Sequence, residues 1–70
     1  MSRHGGELEG RVEEALPRGL FRVRLDGGQI IRAALSSQVR RIIIKLIAGD
    51  RVLVKLHPHD PTRGRITQRL

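Results

Sequence analysis

The sequence contains no cysteine, no tryptophan and no tyrosine, and its only aromatic residue of the Phe/Trp/Tyr class is Phe21. Without cysteine, the chain can form neither a disulfide nor a metal site with thiolate ligands, and this composition fits a reducing compartment. Proteins that bind single-stranded nucleic acids without sequence preference stack the bases on aromatic side chains. Phe21 lies in an alternating apolar run and is expected in the core, so the sequence argues against that kind of binding.

Long apolar runs are also missing. The longest, IIIKLIA over residues 42–48, is interrupted by Lys45 and is far shorter than the roughly 20 residues that span a bilayer. The start of the chain, MSRHGGELEG, is polar and lacks the apolar stretch of a signal peptide. A length of 70 residues allows one domain at most. We therefore expect a cytoplasmic protein with a flexible tail over residues 1–6 and a single folded domain over residues 7–70.

Acidic residues are scarce as well, since seven Asp and Glu stand against fourteen Lys and Arg and the net charge is +7. Residues 1–16 hold four of the acids and only two of the bases, whereas residues 17–70 hold three acids and twelve bases. Twelve of the fourteen bases are arginine, whose planar guanidinium group binds phosphate through two parallel hydrogen bonds. Like charges in such excess repel each other in a compact domain, and a polyanion relieves that repulsion. The charge therefore predicts a nucleic-acid partner.

Turn-forming sequences divide the chain into short segments of alternating polarity. LPRG, DGG and AGD predict tight turns, and HPHDPTRG, residues 57–64, predicts a longer loop. The alternation between these turns predicts five β-strands, at residues 7–16, 20–25, 29–35, 51–56 and 65–69. In the first strand we expect Leu8, Val12 and Leu16 to point inward and Gly10 to mark a bulge or a sharp bend.

The segment between the third and fourth strands has helical spacing. Ser36 or Ser37 is a suitable N-cap, and we expect a short helix over residues 37–42 that gives way to extended chain within the isoleucine run. Five strands with one helix between the third and the fourth predict an all-β protein, a five-stranded OB-fold, which is a Greek-key barrel.

The usual ligand surface of an OB-fold is the outer face of strands two and three together with neighbouring loops. In LFRVRL, residues 20–25, the alternation puts Arg22 and Arg24 on that outer face, about 7 Å apart. Two like charges so close together lead us to expect an anion over them, the backbone of a nucleic acid. The basic residues form three clusters: Arg22, Arg24 and Arg32 on the sheet; Arg40, Arg41 and Lys45 around the helix; and Arg63, Arg65 and Arg69 near the C-terminus.

No constellation of residues in the sequence indicates catalysis. The histidines of HPHD, His57 and His59, lack further ligands at suitable spacing and are interpreted as part of a polar surface loop. Ser36 and Ser37 are better explained as helix caps than as nucleophiles, and the sequence has no phosphate-binding loop of the G-x-x-x-x-G-K type. We therefore expect a protein that is not an enzyme and that needs no metal or other cofactor.

Three segments give the chain a specific resemblance. EGRVEEALPRGLFRVRLDGG (residues 9–28), AGDRVLVKL (48–56) and GRITQR (64–69), in this order, resemble bacterial translation initiation factor one over residues 9–69. The resemblance implies a monomeric, S1-like OB barrel that binds the small ribosomal subunit at its decoding (A) site and assists start-complex assembly with initiation factors two and three. It also implies contacts to ribosomal RNA from Arg22, Arg40, Arg41, Lys45, Arg63, Arg65 and Arg69.

The sequence departs from the family pattern at positions where that pattern often has histidine, lysine, asparagine or an aromatic residue. The departures are Gln29, Ala34, Gln38, Ile42, Ile43, His59 and Gln68. They leave three alternatives open: a divergent paralogue, a general RNA-binding chaperone of the cold-shock type, and a protein–protein module that exposes Ile30, Ile42 and Ile43. For Ile42 and Ile43, we expect packing beneath the helix, since isoleucine is usually buried.

Overall fold

The structure, a computed structural model, describes residues 6–42 and 45–70, without the side chain of Ile42. Residues 1–5 of the predicted tail and the predicted packing of Ile42 and Ile43 therefore lie outside the described residues. Within the part described, no helix is both long enough and apolar enough to cross a membrane. The elements in chain order are β1 (Glu7–Leu16), β2 (Leu20–Leu25), β3 (Ile30–Leu35), α1 (Ser37–Ile42), β4 (Arg51–His57) and β5 (Asp60–Arg69).

The five strands form a closed barrel in the order β1–β2–β3–β5–β4, in which β4 also pairs with β1. All neighbouring strands are antiparallel except β3 and β5, which run parallel from the pair Arg32–Arg63 to the pair Leu35–Ile66. The helix α1 provides the connection after β3 and packs against β3 and β5. This arrangement confirms the predicted OB-fold with a short helix between the third and fourth strands.

The core consists of the inward residues of every strand, completed by Val39 of the helix and by Leu46. The predicted alternation of β2 is confirmed, because Phe21, Val23 and Leu25 are buried and the residues between them are exposed. Burial of one such side chain contributes about 1.5–3 kcal/mol, so a barrel this small depends on each of them. The core residues are Val12, Phe21, Val23, Leu25, Ile31, Ala33, Val39, Leu46, Val52, Val54 and Ile66.

The first strand agrees with the prediction at its start, where Leu8 lies opposite the inward-facing Val54, and differs from it at its end. Leu8 is 39% exposed, because the pairing of β1 with β2 ends at Gly10 and no strand covers Leu8 on that side. The register shifts between Val12 and Glu14, which is a bulge, and a shift of one residue reverses the face on which the following residues lie. Leu16 therefore pairs with Leu20 and is only half-buried instead of pointing into the core.

Of the two alternatives predicted for Gly10, a bulge or a sharp bend, the bulge is wrong. Its role is steric, because a Cβ atom at this position would lie 2.8 Å from the carbonyl oxygen of Arg24 and 2.9 Å from Val23 Cγ1. The absence of a side chain allows β1 and β2 to approach closely, while the bulge itself lies further along the strand, between Val12 and Glu14.

The fifth strand is longer than predicted, since it begins at Asp60 and not at Arg65. The predicted loop over residues 57–64 shrinks to a turn at Pro58 and His59, across which His57 pairs with Asp60. The Asp60 carboxylate accepts hydrogen bonds from the Thr62 N–H at 3.0 Å and from the Thr62 hydroxyl at 2.6 Å, which fixes the start of the strand. The consequence is that Arg63 lies on a strand and not in a loop.

The remaining bounds agree with the sequence to within one residue, since β3 begins at Ile30 and β4 ends at His57. The helix has the predicted bounds, and its N-cap is Ser36, because the Ser36 Oγ accepts the Val39 N–H at 3.2 Å. This cap fixes the direction in which the chain leaves β3 and enters the helix.

Candidate nucleic-acid interface

The outer surface of β3, β5 and β4 forms a cleft with a volume of about 610 Å³. Four basic side chains line it, Arg32, Lys55, Arg63 and Arg65, and we call this the basic cleft. Part of its floor is apolar and comes from Leu20, Ala34 and Leu56. Among the described residues that line the cleft there is no aspartate or glutamate. The volume falls within the range of ligand-binding clefts in proteins.

The strand register brings these four basic residues together. Arg32 of β3 lies opposite Arg63 of β5 in the parallel pair, and Lys55 of β4 lies opposite Arg65 of β5 in the antiparallel pair. Side chains directly opposite each other on one face have Cβ atoms about 5 Å apart. Gly64 lies between Arg63 and Arg65 and faces inward, where a Cβ atom would come within 2.7 Å of Val54 Cγ1.

The charges of the basic cleft are not neutralised by ion pairs within the described chain. The side chains of Arg32, Lys55, Arg63 and Arg65 form no ion pair or hydrogen bond with residues 6–42 or 45–70. The Asp60 carboxylate lies in the same strand as Arg63, and its pKa is lowered mainly by the Thr62 hydrogen bonds and to a smaller extent by Arg63. Like charges on adjacent strands destabilise the sheet, so an anion bound across the cleft would relieve this repulsion.

Three other arginines, which we call the paired arginines, bind carboxylates of the protein itself. Arg22 donates to Glu14 at 2.7 Å, and Arg24 donates to Glu13 at 2.6 Å. The third is Arg51, whose pKa is raised above its ordinary value by hydrogen bonds to Glu9 at 2.7 Å and then to Asp26 at 3.0 Å.

The paired arginines correct one expectation from the sequence. Arg22 and Arg24 were expected to require an anion from outside the protein, and this is wrong, because two glutamates of β1 lie beside them. The assignment of Arg22 to an RNA-binding surface remains a prediction. All seven acids of the chain accept at least one hydrogen bond from a side chain or the backbone: Glu7, Glu9, Glu13, Glu14, Asp26, Asp50 and Asp60.

The other predicted site residues do not line the basic cleft. Arg40 and Arg41 are exposed in the last turn of α1, which packs against β3 and β5. The first residues of the helix segment, Ser36 and Gln38, line one side of the basic cleft. Arg69 donates to the backbone oxygen of Lys45 at 3.4 Å, so these two basic residues are neighbours. Of the seven predicted residues, the structure brings Arg63 and Arg65 into one cleft, and it places Lys45 and Arg69 together elsewhere.

The RNA-binding residues predicted from the sequence did not include two residues of the basic cleft, Arg32 and Lys55. Arg32 was expected on the outer face of the third strand but was not included among the RNA contacts. The alternation of β4 did indicate that Lys55 points outward, between the buried Val54 and the partly buried Leu56. Only the pairing of β4 with β5, however, places Lys55 opposite Arg65, and that pairing joins strands whose register no local pattern specifies.

The histidines of the β4–β5 turn form a local contact. The His59 N–H donates to His57 Nδ1 at 3.1 Å, and the two ring centroids are 6.0 Å apart. Within the described ranges, no group of three or more His, Cys, Asp or Glu side chains is arranged to hold a metal ion. His57 and its neighbour Pro58 are among the residues that line the basic cleft.

Comparison with known proteins places this geometry in a family context. The family model described as Translation initiation factor 1A / IF-1 matches residues 2–70. The solution structure of translation initiation factor one from the Wolbachia endosymbiont strain TRS of Brugia malayi is 44% identical, with a TM-score of 0.72 over 91% of this chain and 76% of that chain. The crystal structure of YjeQ from Thermotoga maritima is 25% identical, with a TM-score of 0.70 over 91% of this chain but only 22% of that chain.

Proposed function

The chain belongs to the Translation initiation factor 1A / IF-1 family and is a translation initiation factor, and on this premise we propose that it binds the small ribosomal subunit at the decoding (A) site. Binding occurs through arginine contacts to ribosomal RNA. The bound protein assists assembly of the start complex together with initiation factors two and three. This role requires shape and charge, and it requires no catalytic residue or cofactor.

The observation that carries the proposal is the basic cleft, in which four cations form no ion pair or hydrogen bond with the described chain. Guanidinium groups that are not engaged with carboxylates are free to bind phosphate oxygens, and each such contact releases condensed counterions from the RNA. The side chains of Arg63 and Arg65 supply the central contacts. Outside the cleft, the surface is extended by Arg40 and Arg41 on the helix and by the neighbouring pair Lys45 and Arg69, with Arg22 as a further candidate beside the cleft.

The form of RNA follows from the side chains that the surface has and lacks. Phe21 is buried, so no aromatic platform of the Phe, Trp or Tyr type is available for stacking unpaired bases. Recognition therefore depends on phosphates and on the shape of folded RNA. Ribosomal RNA around the decoding site is a folded RNA of this kind, whereas an extended single strand offers few fixed phosphate positions.

Footprinting of small-subunit RNA with and without the protein tests this proposal. We expect protection confined to the decoding region, and we expect binding to weaken steeply with salt. The variant Arg65→Gln should bind with a salt slope about one unit flatter, because one phosphate contact is lost. Arg24→Gln is the matched control, since it removes the same charge from an arginine that Glu13 already neutralises, and its slope should change little.

Two results would contradict the proposal. Equal affinity for small subunits and for arbitrary single-stranded RNA would favour a general RNA chaperone of the cold-shock type. A binding constant that does not respond to ionic strength would exclude arginine–phosphate contacts as its source.

A further inference from the structure

Four outward-facing residues lie in one continuous row across four adjacent strands. Glu14 of β1 is opposite Arg22 of β2, which is opposite Arg32 of β3, which in turn is opposite Arg63 of β5. Neighbouring strands are about 4.8 Å apart, so the three arginines follow one another at close and regular spacing. The row therefore consists of three cations in succession with one carboxylate at its end.

The carboxylate at the end of the row is bound to its neighbour. Arg22 Nη1 donates to Glu14 Oε1 at 2.7 Å, while the next two arginines line the basic cleft and form no ion pair or hydrogen bond with the described residues. The side chains of Arg22 and Glu14 are 46% and 54% exposed. Arg22 is thus accessible to a phosphate, but a phosphate that approaches it meets the negative charge of Glu14.

The opposite side of the basic cleft ends on the same strand, because β1 pairs with both β2 and β4 and closes the barrel. Lys55 of β4 lies opposite Glu7 of β1. The Glu7 carboxylate accepts the Thr67 hydroxyl at 2.6 Å, and Thr67 is itself part of the cleft lining. Glutamates of a single strand therefore lie beside the cationic surface on both sides, and Glu14 is the one that binds an arginine of the row.

We propose that Glu14 is a specificity-determining residue that holds Arg22, ends the phosphate-binding surface at Arg32 and thereby lowers the affinity for extended single-stranded RNA. The inference rests on the proposed function, since it assigns discrimination to the same RNA-binding surface. A compact RNA that fits the cleft gains contacts from Arg32, Lys55, Arg63 and Arg65 and does not need Arg22. An extended strand that continues along the row reaches the Glu14–Arg22 pair, where the carboxylate repels it.

The test measures binding of the full chain to a uridine homopolymer of about 12 nucleotides at several salt concentrations. Glu14→Gln should make the salt slope steeper by about 0.7, the value for one additional phosphate contact on a single strand. At low salt it should tighten binding about fivefold, because unit charges about 4 Å apart in water interact by about 1 kcal/mol. Arg22→Gln in the original chain should leave the slope nearly unchanged, and Glu14→Gln with Arg22→Gln should return it to the original value.

Glu13→Gln is the matched control for net charge. It frees Arg24, whose cross-strand neighbours are Arg11 and Ile30 and which lies outside the row, so the slope should not change. An equal gain in Glu13→Gln would overturn the inference, because net charge alone would then explain the effect. A flatter salt dependence of binding in Arg22→Gln alone would also overturn the inference. Failure of Glu14→Gln to tighten binding would overturn it too. Thermal unfolding of each variant verifies that the barrel is intact.

A second measurement, with isolated small subunits, separates this inference from the proposed function. Glu14→Gln should raise the affinity for the subunit less than the affinity for the homopolymer. The ratio of subunit affinity to homopolymer affinity should therefore fall. Equal gains on both RNAs would overturn the assignment of specificity to Glu14. If the original chain failed to bind subunits at all, the proposed function would be wrong, while the homopolymer measurement would still test the hold of Glu14 on Arg22.

Discussion

The basic cleft and the paired arginines use the same type of side chain in opposite electrostatic states. In the cleft, Arg32, Arg63 and Arg65 lie on adjacent strands without a carboxylate partner in the described chain. On β2, the strand next to β3, Arg22 and Arg24 each bind a glutamate at 2.7 Å or less. Both regions are accessible to solvent, so burial does not distinguish them. What distinguishes them is their distance from β1.

This difference shows how one acidic strand divides a basic barrel into two surfaces. Four of the seven acids lie on β1, which pairs with β2 and β4 but not with β3 or β5. The arginines of β2 and β4, the strands next to β1, bind carboxylates, whereas those that line the cleft from β3 and β5 do not. The cations of the cleft are therefore supplied by β3, β5 and Lys55 of β4, although basic residues occur all along the chain.

The largest effect that we expect is a difference in RNA affinity between variants of the basic cleft and variants of the paired arginines. Arg63→Gln with Arg65→Gln removes two cations that have no partner in the described chain, and each lost charged hydrogen bond to phosphate weakens RNA binding by about tenfold or more. Arg22→Gln with Arg24→Gln removes the same charge from paired residues and should weaken binding far less. Affinity for small subunits measures both. Similar losses in the two double variants would contradict the division into two surfaces.

The second effect concerns the packing beneath the cleft. Gly64→Ala places a methyl group 2.7 Å from Val54 Cγ1 and 3.1 Å from the Lys55 carbonyl oxygen, and such overpacking should lower the free energy of unfolding by about 1–3 kcal/mol. Denaturant unfolding measures this loss. Gly27→Ala is the control, because no heavy atom lies within 4 Å of its added Cβ, and it should change the free energy by less than about 0.5 kcal/mol. A Gly64→Ala protein as stable as the original would show that β4 and β5 can separate.

The third prediction concerns whether the helix is part of the RNA-binding surface. Ser36→Ala removes the N-cap hydrogen bond to the Val39 N–H and should lower the free energy of unfolding by about 1 kcal/mol. If Arg40 and Arg41 contact RNA, the same variant should also bind small subunits more weakly, because the helix that carries them is less well fixed. Ser37→Ala, one residue further along, leaves the cap in place and serves as control. Reduced stability with unchanged affinity would remove the helix from the interface.

The smallest effect is a pH dependence at the start of β5. Hydrogen bonds from Thr62 lower the pKa of Asp60 below its ordinary value of 3.8, so the folded state favours the carboxylate. This stabilisation is complete above the ordinary pKa and is lost as the pH falls through the lowered pKa of the folded state. Asp60→Asn should therefore reduce the loss of thermal stability on acidification.

Thr62→Val tests the cause of that pH dependence, because it removes the hydroxyl donor and keeps the Asp60 carboxylate. It should reduce the acid-side loss in the same direction as Asp60→Asn. Unchanged curves for both variants would show that the Asp60 turn does not couple to folding.

Local patterns were sufficient for the elements that depend only on neighbouring residues. The strand β2 and the helix α1 have their predicted bounds, because strict alternation and an N-cap serine are signals contained within a few residues. The prediction failed where the register between paired strands decides the outcome. The register shift after Val12 turned Leu16 away from the core, and pairing with β4 extended β5 back to Asp60.

The candidate site shows the same division. Alternation indicated that Arg22, Arg24 and Lys55 point outward, and the excess of arginine indicated a polyanionic partner. Which arginines retain a free charge depends on which strand carries the nearest carboxylate. Glu14 and Arg22 are eight residues apart, but Arg32 and Arg63 meet across a parallel pair that joins segments 31 residues apart.

The sequence by itself determined the strands, the inward side of most of them, the cap of the helix and the sign of the charge, because each of these depends on local conformation or on composition. Only the tertiary structure decided which cations are neutralised and which form a cleft. Charge neutralisation requires atoms within a few ångströms of each other, and closure of the barrel by β1 sets those distances.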